Sequence, residues 1–138
     1  MGRDDTKEIQ MRLWRPELLP VLPGRLLCAL HRDMCLLRGR PWGTARGTGT
    51  WYWNLPWGCI AWYHGQVMRE MASRGWRPDP GWHDTLYRGR RRAPARDDLV
   101  EIEDMSPGGW RRMFTGACPE TVEGQSALLE AWRGSHGD

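Results

Sequence analysis

The stretch GRLLCALHRDMCLLR, residues 24–38, decides how this chain folds. Leu26, Leu30, Met34 and Leu37 recur at the three- and four-residue spacing of one α-helical face, and Gly39 supplies the stop. One residue breaks the pattern. Asp33 lies on the same stripe, three residues after Leu30, seven after Leu26 and four before Leu37. A partly buried carboxylate needs a partner or a raised pKa, and such groups gather at functional sites. A buried ion pair with an arginine or with His64 is the structural alternative.

Outward from this helix, Pro56 suits the first turn of a second one. Trp57, Ile60, Ala61, His64, Met68 and Met71 follow at helical spacing, and Gly75 ends it. A weaker third helix is expected at about 120–133, around Val122, Leu128, Leu129 and Trp132. PELLPVLP, residues 16–23, holds three prolines and cannot be one regular helix. GRPWGTARGTGTWYWNL, residues 39–55, reads as a loop with a short extended piece at 50–53. Residues 76–96 show little periodicity, and DDLVEIEDMSPGG from Asp97 looks poorly packed. The expected fold is all-α: a small single-domain bundle of about three helices with long ordered loops.

Charge divides the chain unevenly. Residues 11–96 carry 15 arginines against five acids, a net of +10, whereas residues 97–138 carry three arginines against nine acids, a net of −6. Residues 1–10, MGRDDTKEIQ, are polar and read as an extension ahead of a basic helical body and an acidic C-terminal segment. A basic body implies a polyanionic partner. The acidic segment either competes for that body within the molecule or is disordered and solvating. No run approaches a membrane span, and no apolar stretch follows the charged N-terminus as in a secretory signal. A reduced, cytoplasmic protein without membrane contact is expected, most simply a monomer.

The four cysteines lack paired spacing. Cys28, His31 and Cys35 share one helix side, with Cys59 a conceivable fourth zinc ligand, but three ligands from one continuous helix are unusual. Buried apolar cysteines are the preferred reading, with no metal. Arginines interleave with aromatics in RGRPWGTARGTGTWYW (38–53) and WHDTLYRGRRR (82–92), the composition that grips phosphates and stacks on bases. Trp57 and Trp62 read as packing residues, and Trp42, Trp51 and Trp53 as contact residues. No P-loop, GxGxxG, HExxH or GxSxG pattern is present.

Three blocks together resemble a known family: MRLWRPELLPVLPGRLLCALHRDMCLLRGRPWG (11–43), LPWGCIAWYHGQVMREMASRGWRPD (55–79) and LYRG (86–89). Their order and spacing are similar to the pyrimidine-dimer DNA glycosylases of the endonuclease V type. The resemblance implies a compact helical domain acting on double-stranded DNA that contains pyrimidine dimers or abasic sites. It implies a nucleophilic α-amine at the mature N-terminus, which attacks C1′, forms a Schiff base and permits strand cleavage by β-elimination. No cofactor is implied. The family's acid/base glutamate falls on Asp33, one methylene shorter. Met11 or Arg12 then stands nearest the amine, with Arg32 beside Asp33. Arg15, Arg25, Arg38, Arg40, Trp42 and Arg88 are the expected DNA-binding residues, and His31 and His64 the supporting ones.

The residues independently support one part of this, the amine nucleophile. Lys7 is the one lysine, so the body holds no lysine nucleophile. An α-amine, with a pKa of about 7.7–8.0 against about 10.4 for lysine, is substantially unprotonated near neutrality. The position of that amine turns on whether the chain starts at Met1 or Met11. A DNA-binding relative without catalysis, keeping only the basic groove, is the alternative.

Overall fold

The computed structural model describes residues 12–39, 51–90, 93–95 and 107–136. Among them lie four α-helices and no strand: α1 (Gly24–Gly39), α2 (Trp57–Ser73), α3 (Pro107–Ala117) and α4 (Val122–His136). The fold is all-α, as expected. No helix of the described residues is long and apolar enough to cross a membrane.

Proline sets the boundaries. Pro16 and Pro20 fix φ but offer no N–H, and the chain forms a short 3-10 helix there, Pro16–Val21. α1 follows Pro23, whose carbonyl accepts from the Leu27 N–H at 3.0 Å. Pro56 precedes α2 in extended backbone, and its carbonyl accepts from the Cys59 and Ile60 N–H groups at 3.0 and 3.3 Å. α2 stops at Gly75, whose φ of +87° a side chain would resist. There the Gly75 N–H bonds the Ala72 carbonyl and the Trp76 N–H bonds the Met71 carbonyl, both at 3.0 Å, closing the helix end.

Leu26, Leu27, Leu30, Met34 and Leu37 of α1 pack with Ile60, Tyr63, Val67 and Met71 of α2 in one core. Fully burying such side chains contributes about 1.5–3 kcal/mol each. Trp51–Asn54 forms a 3-10 helix where an extended piece was expected. That curl turns Trp51 edge-on to Phe114, with centroids 5.3 Å apart, so Trp51 packs against the core. Trp42 and the Trp53 side chain lie outside the described residues.

The helix expected at about 120–133 is present as α4, and the larger correction is to the disordered, solvating alternative for the acidic segment. Residues 107–136 do not trail into solvent, because Phe114, Leu129 and Trp132 are buried in the same core as Leu13, Trp14 and Tyr63. Glycines obscured α3 in the sequence, yet Trp110, Met113 and Phe114 recur at helical spacing. The Phe114 and Tyr63 rings stack at 4.5 Å, inclined by 6°. Gly58 admits α3: a Cβ there would lie 2.6 Å from the Trp110 ring.

Candidate active site

Asp33 sits at the margin of α1 where the apolar face meets solvent, half-buried. Its Oδ2 is buried and has no hydrogen-bond partner among the described residues. Burial pushes its carboxyl up to about 6, against the pull of the adjacent Arg32 guanidinium. The ion pair posed as the structural alternative does not form among the described residues, since His64 is engaged elsewhere. Asp33 is thus a carboxylate held ready to change protonation near neutral pH.

On the other flank of α1, four polar groups form a chain with one proton order. The Arg38 Nη1 donates to His64 Nδ1 at 3.0 Å. Arginine has no acceptor, so His64 Nδ1 must accept, and the His64 proton lies on Nε2. That Nε2–H points at His31 Nδ1, 2.9 Å away. His31 then carries its proton on Nε2, which faces Cys35 Sγ at 3.7 Å. Burial first, then the charges of Arg38, His31 and His83, depress the His64 pKa far below its ordinary value. Burial lowers that of His31 as well and raises the Cys35 thiol to about 11.

The possible ligand atoms of His31, Cys35 and His64 lie within 4.8 Å of one another. A metal-bound histidine donates its outer N–H to an acceptor, yet here His64 Nδ1 faces a guanidinium. Three neutral groups beside a fixed cation do not suit a divalent ion. The zinc set considered from sequence is also broken, because Cys28 is exposed and Cys59 is buried against the Trp110 carbonyl. The expectation of buried cysteines therefore fails at Cys28, which faces outward from α1.

Arg38 requires a further correction. It is fully buried, so it cannot reach a DNA phosphate. Besides His64, its guanidinium donates to the Trp82 carbonyl at 2.9 Å, Asp84 at 2.7 Å, Thr85 at 3.2 Å and Tyr87 at 3.0 Å. It anchors the segment 82–87 to α1. Arg88 is half-buried, donates from Nε to the Arg38 carbonyl at 3.0 Å and lies over Trp57. By contrast, Arg25 and Arg32, seven residues apart on one face of α1, are exposed. Met11 and Arg40 fall outside the described residues.

Arg12 and Arg15 meet residues that the sequence did not single out. Arg12 Nε lies 2.8 and 2.9 Å from the two carboxylate oxygens of Glu120. Arg15 Nη1 donates to the Glu120 carbonyl at 3.0 Å. Burial pushes the Glu120 carboxyl up, but hydrogen bonds from Arg12 and Gln125 and the Arg12 charge outweigh it and hold it below its ordinary value. Glu120 and Gln125 lie more than 100 residues from these partners, and no local pattern announces them.

Residues 11–84 match the family described as pyrimidine dimer DNA glycosylase. No curated protein and no solved structure matches the chain. The matched span holds the Asp33 stripe, the His31–His64 pair and the exposed arginines of α1, and it covers more than half of the sequence: the chain belongs to the pyrimidine dimer DNA glycosylase family.

Proposed function

We propose that this protein excises pyrimidine dimers from duplex DNA and cleaves the strand as an AP lyase, with its α-amine as nucleophile and Asp33 as acid/base. The amine nitrogen attacks C1′ of the damaged nucleotide. The N-glycosidic bond breaks, and its electron pair leaves with the base. The C1′–O4′ bond then breaks as O4′ takes a proton, opening the sugar ring, and loss of the amine proton leaves the imine, which acidifies the C2′ hydrogen. Removal of that proton expels the 3′ phosphate and cuts the strand. Arg25 and Arg32 supply phosphate contacts on the open face of α1.

The observation that carries this reading is the half-buried Asp33 carboxylate beside that arginine face, whose Oδ2 meets no hydrogen-bond partner among the described residues. A group with a pKa of about 6 gives and takes protons near neutrality. A protein that only bound DNA would keep Arg25 and Arg32 but would gain nothing from a half-buried carboxylate with an unsatisfied oxygen.

The test is strand nicking of ultraviolet-irradiated duplex against the same duplex unirradiated. Irradiation-dependent cleavage, lowered at least about tenfold by Asp33→Asn with DNA binding retained, is expected for loss of general acid/base catalysis. Equal cleavage by the variant removes Asp33 from the mechanism, and irradiation-independent binding without cleavage favours the DNA-binding alternative.

A further inference from the structure

Residues 12–15 are gripped from both edges. Across Trp14, the Gln125 Oε1 accepts the Arg15 N–H at 2.7 Å, while its Nε2 donates to the Leu13 carbonyl at 3.1 Å. In extended backbone these two main-chain groups point to the same side. One side-chain amide therefore takes the place of a neighbouring strand. On the opposite edge the Tyr63 hydroxyl donates to the Trp14 carbonyl. Gln125 is fully buried, and its Nε2 also donates to Glu120 Oε1 at 3.0 Å, which aims the carboxylate at Arg12. The Trp14 ring, 1% exposed, locks the register between the two edges.

We propose that Glu120 and Gln125 are positioning residues for the N-terminal amine: the α3–α4 connection and α4 clamp residues 12–15, so that the residue before Arg12 enters the site from one fixed point. The inference rests on the amine chemistry proposed above. An amine on a free chain end samples many orientations, whereas attack on C1′ requires approach to about 3–3.5 Å along one direction. In a chain that starts at Met11, a clamp that begins one residue from the amine removes most of that freedom before DNA arrives. Neither residue needs to touch the substrate. The acidic segment thereby acquires a task within the basic body, through a carboxylate and an amide rather than through bulk charge.

The test, on protein that starts at Met11, combines borohydride trapping on an abasic-site duplex, duplex affinity and hydrogen exchange at the Arg15 amide. Gln125→Met keeps the side-chain length and removes both polar ends. It is expected to lower the trapping rate at saturating duplex at least about tenfold, with affinity within about twofold and Arg15 exchange at least about tenfold faster. Glu120 is partly exposed, so its variants remain informative if Gln125→Met fails to fold. Glu120→Ala should lose about tenfold in trapping, and Glu120→Gln, which keeps an acceptor for Arg12, should recover most of it. Faster Arg15 exchange with unchanged trapping overturns the positioning role, as does unchanged exchange. Equal losses of trapping and affinity, without rescue by glutamine, mark a merely structural contact and overturn it too. If the unsubstituted protein is not trapped, the amine chemistry fails and the positioning role falls with it, although exchange at Arg15 still reports whether the clamp exists.

Discussion

Replacing Arg38 with methionine tests whether this arginine is a fold anchor rather than a DNA ligand. Methionine fills a similar apolar volume but donates nothing. Five acceptors lose their donor: His64 Nδ1 and the carbonyls of Trp82, Asp84, Thr85 and Tyr87. Hydrogen bonds to a charged donor contribute roughly 1.5–3 kcal/mol each, but such losses are not additive. Water also reaches part of the segment, since Asp84 and Thr85 are exposed. The sum therefore falls to about 3–4 kcal/mol, in line with the roughly 3–5 kcal/mol of broken buried charge networks. At about 2.1 cal/mol/K per residue, unfolding 138 residues carries about 0.29 kcal/mol/K, so Tm should drop by about 10–14 °C. Thermal unfolding by circular dichroism measures this, with hydrogen exchange showing where the loosening lies. Exchange should rise first over 82–88. Arg38→Lys should recover little, because an ammonium cannot fork to carbonyls on two sides. A Tm drop below about 3 °C, or weakened DNA binding at unchanged Tm, would refute the reasoning.

Other perturbations read other parts of the account. The pKa of Asp33 is about 6 in the fold against an ordinary 3.8, so the folded state holds the proton more tightly, and ionisation costs stability progressively between about pH 4 and pH 6. Asp33→Asn should therefore raise Tm at pH 7.5, and the gain should vanish below about pH 4; an equal shift at both pH values would show that charge is not the cause. Gly58→Ala drives a methyl into the Trp110 ring and should cost about 1–3 kcal/mol in urea unfolding, unless the half-buried ring swings aside and leaves stability unchanged. Arg25→Ala and Arg32→Ala should each flatten the salt dependence of duplex binding by about one counterion while leaving Tm in place. An unaltered salt slope would move the DNA face off α1.

Much of the helical frame was legible because local rules governed it. The stripe of α1, the proline before α2 and the glycine at its end depend on residues a few positions apart, and the structure follows them. Asp33 was legible for the same reason, as a charge out of place on an apolar periodicity. Arg38 was not, since a basic residue in the last helical turn ordinarily faces solvent. Its burial is decided by carbonyls 44 to 49 residues further on. Glu120 and Gln125 were hidden in the same way, as polar residues in an acidic segment whose partners lie near the other end of the chain. Trp51 misled in the opposite sense, because a Gly-rich neighbourhood suggested exposure while Phe114, the one phenylalanine, awaited it from α3.

The central claim, an α-amine nucleophile, is tested most directly with protein that starts at Met11. Such a chain contains no lysine, because Lys7 is the only one in the sequence, and its sole primary amine is the α-amine. Borohydride reduction on an abasic-site duplex should give a covalent protein–DNA adduct, with the DNA mapped by mass spectrometry to the N-terminal peptide. An adduct from the chain starting at Met1 that maps to Lys7, with none from the chain starting at Met11, would contradict the account.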